Sequence, residues 1–183
     1  VRVRVGGRTI HADWLIDASG QACVLARHLG TRRFLPGFKN VSYFEHFEGC
    51  HRNTGEREGF ATLAMCREGW FWMIPLDETT TSIGVVLDNE LARRIPAATT
   101  DRLRWCVDRC PAMSERMRDA TGPDRNQVAG DFSYTCDRHA DDGWFMIGDA
   151  AAFIDPVWST GVTLGLDGGV AAARAILDLS LIH

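Results

Sequence analysis

Lysine is almost missing from this chain. Lys39 is the only one among 183 residues, and the other basic side chains are arginines, a bias of the kind a GC-rich genome produces. The net charge of -4 and the isoelectric point near 5.8 leave no basic footprint for nucleic acid. No apolar run approaches membrane-spanning length, so no membrane association is expected, and the cysteine usage reads as cytoplasmic. The six cysteines form no C-x-x-C pair and no zinc-like cluster with histidine. They read as packed thiols of a reducing compartment, with Cys106 and Cys110, four apart, expected on one helix. His11, His28, His46, His51 and His139 show no metal spacing either, and no metal is expected. There is no G-x-G-x-x-G, no internal repeat and no low-complexity stretch. The chain starts at Val1 without methionine and ends in a helical pattern, which reads as a fragment whose residues 179–183 are a non-native tail.

What is there alternates between strand and helix signals. Val1, Val3 and Val5 alternate with Arg2 and Arg4, Gly6-Gly7 marks a hairpin turn, and Thr9 to Ala12 read as the return strand. A short apolar strand, Leu15-Ile16-Asp17, enters Ala18-Ser19-Gly20 and then a helix that stops at Gly30. Residues 41–88 read as an antiparallel meander with hairpin turns at Arg67-Glu68-Gly69 and Leu76-Asp77-Glu78-Thr79. Helical spacing follows over 89–120, broken at Cys110-Pro111. Residues 126–139 read as one extended strand. Trp144 to Ile147 form a strand into a Gly148-Asp149 turn, and a helix rich in glycine and alanine closes the chain. This order implies an α/β (α+β) chain in two domains, one interrupted by the other: 1–39 with 136–178, and an antiparallel-sheet domain over 40–135.

Four stretches carry chemistry. Asp17 to Gly20 and Gly148 to Ala151 each end an apolar strand in small residues with one carboxylate. At the carboxyl end of a strand, small residues let a ligand approach the backbone, and the carboxylate can accept from sugar-like hydroxyls. In the third stretch, Asp155-Pro156 forces an extended turn, Ser159 or Thr160 caps a helix, and Gly161 leaves its first amides uncovered, which favours an anion. The fourth is Trp70 to Pro75. On a strand, Trp70, Trp72 and Ile74 share one face while Phe71, Met73 and Pro75 share the other. Both faces are apolar, so burial on both sides is expected. Taken singly, each stretch also reads as a plain strand–helix corner, helix cap or core strand.

Taken together and in this order, "DASG", "WFWMIP" and "GDAAAFIDPVWSTGV" resemble the flavin-dependent halogenases, members of the wider group of FAD-dependent monooxygenases and geranylgeranyl-reductase-like flavoproteins. The resemblance implies a partial Rossmann-like, glutathione-reductase-type FAD domain with an inserted antiparallel-sheet substrate domain. The family signature W-x-W-x-I-P is met by Trp70, Trp72, Ile74 and Pro75, which would partition flavin from substrate. By the same resemblance, Asp17, Gly20, Gly148, Asp149, Pro156, Gly161 and Val162 would line FAD, and Ser159, Thr160 and Gly161 would hold chloride or bromide.

The implied reaction starts from reduced FAD delivered by a separate flavin reductase. It passes through a flavin hydroperoxide and hypohalous acid, and ends in halogenation of an electron-rich aromatic. The family's catalytic lysine has no counterpart at Lys39, and no residue here is assigned that role. Tryptophan halogenases carry glutamate where this chain has Trp158, and Glu-Pro where it has Asp155-Pro156. Both departures point to the branch acting on phenols and pyrroles, free or tethered to a carrier protein. Two readings stand beside it: a non-halogenating FAD-dependent monooxygenase or oxidoreductase of the same fold, and a non-catalytic flavoprotein or carrier-binding domain.

Overall fold

A computed structural model of the chain describes residues 1–96, 101–130 and 132–180. In chain order it runs β1 (Arg2–Val5), β2 (Arg8–His11), β3 (Leu15–Asp17), α1 (Val24–Leu29), β4 (Arg32–Phe34), β5 (Asn40–Phe47), β6 (Thr62–Met65), β7 (Trp70–Pro75) and β8 (Thr81–Asp88). It continues with α2 (Asn89–Ala92), α3 (Arg102–Val107), α4 (Pro111–Arg116), β9 (Gln127–Gly130), β10 (Tyr134–Cys136), β11 (Ala140–Asp141), β12 (Trp144–Met146), β13 (Ala152–Phe153) and α5 (Gly161–Ser180). The chain divides into two compact units, Val1–Phe38 with Phe132–His183, and Lys39–Asp131. The described part of the expected tail, Leu179 and Ser180, continues α5; residues 181–183 lie outside the described residues. Among the described residues, no helix is long and apolar enough to cross a membrane.

In the first unit, β1 and β2 form the expected hairpin. Gly6 and Gly7 take φ of 54° and 80°. Two consecutive left-handed residues are what a two-residue hairpin turn needs to match strand twist, and glycine supplies them without steric cost. β3 lies parallel to β12, with Leu15 opposite Trp144 and Asp17 opposite Met146, and β11 pairs antiparallel on the far side of β12. A second sheet, β13-β10-β4, is antiparallel throughout. Its core gathers Cys23, Ala26, Tyr134, Cys136, Met146 and Ala151.

The second unit is a five-stranded antiparallel sheet in the order β6-β7-β8-β5-β9. Both anticipated turns are present. Cys66 N–H bonds Gly69 O at 2.9 Å across one. In the other, Asp77 Oδ1 accepts from the amides of Thr79 and Thr80 at 2.9 and 2.7 Å. Those two amides, Thr80 first, hold the Asp77 carboxyl down at about 2. Asp101 caps α3, accepting from Arg104 N–H at 2.8 Å. Phe47, Phe71, Met73, Ile83, Val85 and Leu87 pack into one core with Leu103, Val107, Met113 and Met117 from the helical region.

Three expectations change. Residues 126–139 are not one strand: β9 pairs with β5, whereas β10 pairs with β4 and β13. The units therefore divide at 131/132 rather than 135/136, and at 38/39 rather than 39/40. Cys106 and Cys110 are not on one helix. Pro111 lacks the amide that would continue α3 and pushes Cys110 into an extended conformation (φ -115°, ψ 97°), so α4 starts afresh. Finally, β7 is not buried on both faces. Phe71 and Met73 enter the core, but Trp70 and Trp72 are only half-buried and Ile74 is 37% exposed.

Candidate cofactor site and the tryptophan strand

The parallel pairing of β3 and β12 puts the carboxyl ends of two adjacent strands side by side. Ile147 N–H bonds Asp17 O at 3.0 Å, so the turns at Ala18-Ser19-Gly20 and Gly148-Asp149-Ala150 leave the sheet together. This is where an α/β sheet offers its backbone to a ligand. A groove of about 860 Å³ opens beside the first turn, lined among others by Ile16, Ala18, Ser19, Val24 and Leu25. That volume lies in the range of small-molecule sites.

The two carboxylates do different work. Asp17 is buried, and both of its oxygens accept backbone amides: Oδ1 from Ser19 at 2.9 Å and Oδ2 from Leu25 at 2.6 Å. With Ser19 Oγ accepting from Val24 N–H at 3.0 Å, these bonds satisfy the orphan donors at the start of α1 and fix the turn. The Asp149 carboxylate accepts no hydrogen bond among the described residues. Burial alone pushes its carboxyl above the usual carboxylate range. Its backbone is held instead: Asp149 O accepts from Tyr134 OH at 2.6 Å and lies 3.7 Å from Cys23 Sγ. Tyr134 is fully buried, and burial raises its phenol, so it remains a donor. Arg32 stacks on its ring at 3.9 Å. The result is a rigid turn presenting a free acceptor.

Helix α5 packs on that turn through its small residues. A methyl at Gly148 (φ 54°) would stand 3.2 Å from Gly165 Cα, and one at Gly168 would stand 3.3 Å from Ile147 Cβ. The approach to the helix is built by Asp155, whose Oδ1 accepts Val157 N–H at 2.9 Å, by Pro156, and by Ser159 in the left-handed region at φ 52°. Leu164 N–H bonds Thr160 O at 2.9 Å, which makes this the first helical bond. The amides of Gly161, Val162 and Thr163 therefore have no acceptor within the helix, and the dipole of a 20-residue helix adds partial positive charge there. A methyl at Gly161 would stand 3.5 Å from Asp149 Oδ1, so the free carboxylate borders the helix start. Beside it, Trp158 and Val162 are 81% and 75% exposed.

These features fit a polyhydroxylated, anionic, ring-bearing cofactor such as FAD. Asp149 offers an acceptor for hydroxyls, the start of α5 offers anion-binding amides, and the exposed apolar side chains offer a surface for a flat ring. Asp17, Gly20, Gly148, Asp149, Pro156, Ser159, Thr160, Gly161 and Val162 all fall within the first unit.

Trp70, Trp72, Ile74 and Pro75 fall on β7 of the second unit. On the face away from the helices, Trp70 and Trp72 lie 6.0 Å apart between ring centres, and Trp72 lies 6.0 Å from Phe44. Trp72 Nε1 donates to Ser82 Oγ at 3.1 Å. Among the described residues no group of three or more potential metal ligands comes together.

Sequence reasoning missed Tyr134 and Cys23, because a buried hydroxyl on a backbone carbonyl leaves no spacing signature. It also passed over Gly84, although a single glycine inside an apolar strand pattern is a sign of close approach.

Comparison with known proteins brings a family into view. The profile of the tryptophan halogenase family matches residues 2–179. The flavin-dependent halogenase ascD of Acremonium egyptiacum is 32% identical over 177 residues, covering 91% of this chain and 32% of the relative. A 1H-pyrrole-2-carbonyl-[peptidyl-carrier protein] brominase of Pseudoalteromonas luteoviolacea is 31% identical, covering 91% of this chain and 42% of its own length. Among solved structures, the myxobacterial chondrochloren halogenase CndH superposes with a TM-score of 0.83 at 35% identity, over 93% of this chain and 41% of that one. The chain thus spans between 32% and 42% of the length of these two curated relatives.

Proposed function

Because the chain belongs to the tryptophan halogenase family, we propose that the whole protein is an FAD-dependent enzyme that halogenates an electron-rich aromatic ring. The substrate we infer is of phenol or pyrrole type, free or tethered to a carrier protein. Trp158 and Asp155-Pro156 support that branch, as does the similarity to a brominase acting on a carrier-bound pyrrole. Reduced FAD, delivered by a separate flavin reductase in the cytoplasm, supplies the oxygen activation that oxidises chloride or bromide.

The chain's own residues position and exclude. The Asp149 carboxylate would accept hydrogen bonds from the hydroxyls of the cofactor's sugar-alcohol chain, on a turn locked by Tyr134 and by the packing of Gly148 on α5. Asp17 and Gly20 shape the neighbouring turn. Pro156 and Val162 would hold the flavin ring. The halide sits on the amides of Thr160 and Gly161, with Ser159 setting their direction through its left-handed backbone. Trp70, Trp72 and Ile74 form a wall of low polarity, ended by Pro75, that keeps water and direct oxygen transfer away from the substrate.

The observation that carries halogenation over hydroxylation is the Trp70–Trp72 pair. Two indoles left off the core side of their strand are bulk available for a wall. The experiment supplies the complete enzyme with reduced FAD, oxygen, bromide and an activated phenol or pyrrole. Mass spectrometry should show the bromine isotope doublet in the product. A hydroxylated product without bromine would replace this reading with a monooxygenase of the same fold.

A further inference from the structure

The indole of Trp72 owes its position to two residues on the neighbouring strand. In the register of β7 and β8, Trp72 stands opposite Gly84, and Gly84 in turn stands opposite Phe44 of β5. The indole lies across the backbone of Gly84. A methyl group on Gly84 would come within 2.5 Å of Trp72 Cε2 and closer still to Cζ2 and Cη2. No rotamer adjustment of a methyl relieves such an overlap, because a methyl on Cα has no freedom to move. The indole passes over the missing side chain and reaches Phe44 on the third strand. Two residues before Gly84, Ser82 Oγ accepts Trp72 Nε1–H and fixes which edge of the ring points along β8. Trp70 closes the remaining side.

We propose that Gly84 and Ser82 are positioning residues for Trp72: together they lay its indole flat over β8, and they act on the reaction only through that pose. The proposal rests on the reading of Trp70 and Trp72 as a wall. It adds that the wall works because one of its slabs cannot turn. An indole free to rotate about χ1 and χ2 would open and close, admitting water or letting the oxidant escape unused. Glycine in a central strand weakens the sheet, and its presence at 84, between Ile83 and Val85 of the core, is accounted for by the slot it makes.

The test is a double-mutant cycle in the complete enzyme, comparing Gly84→Ala and Ser82→Ala in the presence of Trp72 and in a Trp72→Ala background. Two readouts are taken: thermal unfolding, and halogenated product formed per hydrogen peroxide released. With Trp72 present, Gly84→Ala should lower the melting temperature by on the order of 5 °C through overpacking. In the Trp72→Ala background it should leave it unchanged or raise it. Both Gly84→Ala and Ser82→Ala should lower the product-to-peroxide ratio severalfold when Trp72 is present and leave it unmoved when it is absent. Equal effects in the two backgrounds, or an unchanged ratio in both single variants, would overturn the proposal. If the unsubstituted enzyme makes no halogenated product, the wall reading itself has failed. The thermal cycle then decides whether Gly84 and Ser82 still hold Trp72.

Discussion

Replacing Tyr134 by phenylalanine removes one oxygen from the fully buried centre of the first unit and leaves the ring in place. The lost hydroxyl donates to Asp149 O at 2.6 Å. Among the described residues, the carbonyl keeps only the weak thiol donor of Cys23 at 3.7 Å. Leaving a buried acceptor unsatisfied costs about 1–3 kcal/mol, against the smaller net value of an ordinary exchanged hydrogen bond, and this bond is part-buried, so the middle of that range applies. We expect about 2 kcal/mol for Tyr134→Phe, towards a thirtyfold loss in the folded-to-unfolded ratio. The stacking of Arg32 on the ring and the edge contact with Phe34 survive in phenylalanine. Tyr134→Leu loses those as well, and should cost on the order of 4 kcal/mol. The assay is urea unfolding followed unit by unit through NMR resonances. The first unit should lose stability while Val85 and Leu87 in the second report no change. Cofactor affinity should fall with it, since the same bond orients the turn that carries the Asp149 carboxylate. A Tyr134→Phe cost below about 0.5 kcal/mol, the range of inert surface changes, would refute the reasoning. So would a cost matching that of Tyr134→Leu, because the oxygen would then not be the part that matters.

Further predictions concern this turn and the helix packed on it. Asp149→Asn should weaken FAD binding by about 1.5–3 kcal/mol, roughly ten- to a hundredfold in Kd, by removing a charged acceptor. In the native protein, burial raises the Asp149 carboxyl, so the folded chain keeps its proton at a pH where the unfolded chain has lost it. Its contribution to stability is therefore full below the unfolded pKa and is lost as pH rises through the folded one. FAD affinity should rise with pH over that same window, as the carboxylate forms, and calorimetric titration should find this slope flattened in Asp149→Asn. Gly148→Ala should cost about 2 kcal/mol, from left-handed strain together with the 3.2 Å approach to Gly165. Gly165→Ala meets nothing within 4 Å and should stabilise α5 by up to about 1 kcal/mol, so thermal melts of the two variants should move in opposite directions.

The sequence made legible those features whose cause is local. Gly6-Gly7 needs two left-handed residues, Pro111 needs a fresh helix, and a strand ending in Gly148-Asp149 needs only its own small residues to turn. The shift of partners between β9 and β10 was not legible. Gln127–Gly130 and Tyr134–Cys136 have the same extended character, and only their distant partners, β5 in one unit and β4 in the other, separate them. The division of labour between Asp17 and Asp149 was likewise hidden. Both follow an apolar strand, yet one carboxylate is consumed by the amides of Ser19 and Leu25 and the other is left free.

The burial of β7 is not legible in its own residues. Alternation places Phe71 and Met73 opposite Trp70 and Trp72, but two apolar faces look alike in a sequence. Which one meets α3 and α4 is settled by residues thirty or more positions away, at Leu103, Val107 and Met113. Once that face is assigned, the other must be explained by something other than the core. An indole laid over a glycine, hydrogen-bonded at its only polar atom and flanked by two further aromatic rings, is a surface with a fixed shape. The W-x-W spacing supplies the two slabs; the pose of the second depends on Gly84 and Ser82, a strand away, in a stretch the signature does not include.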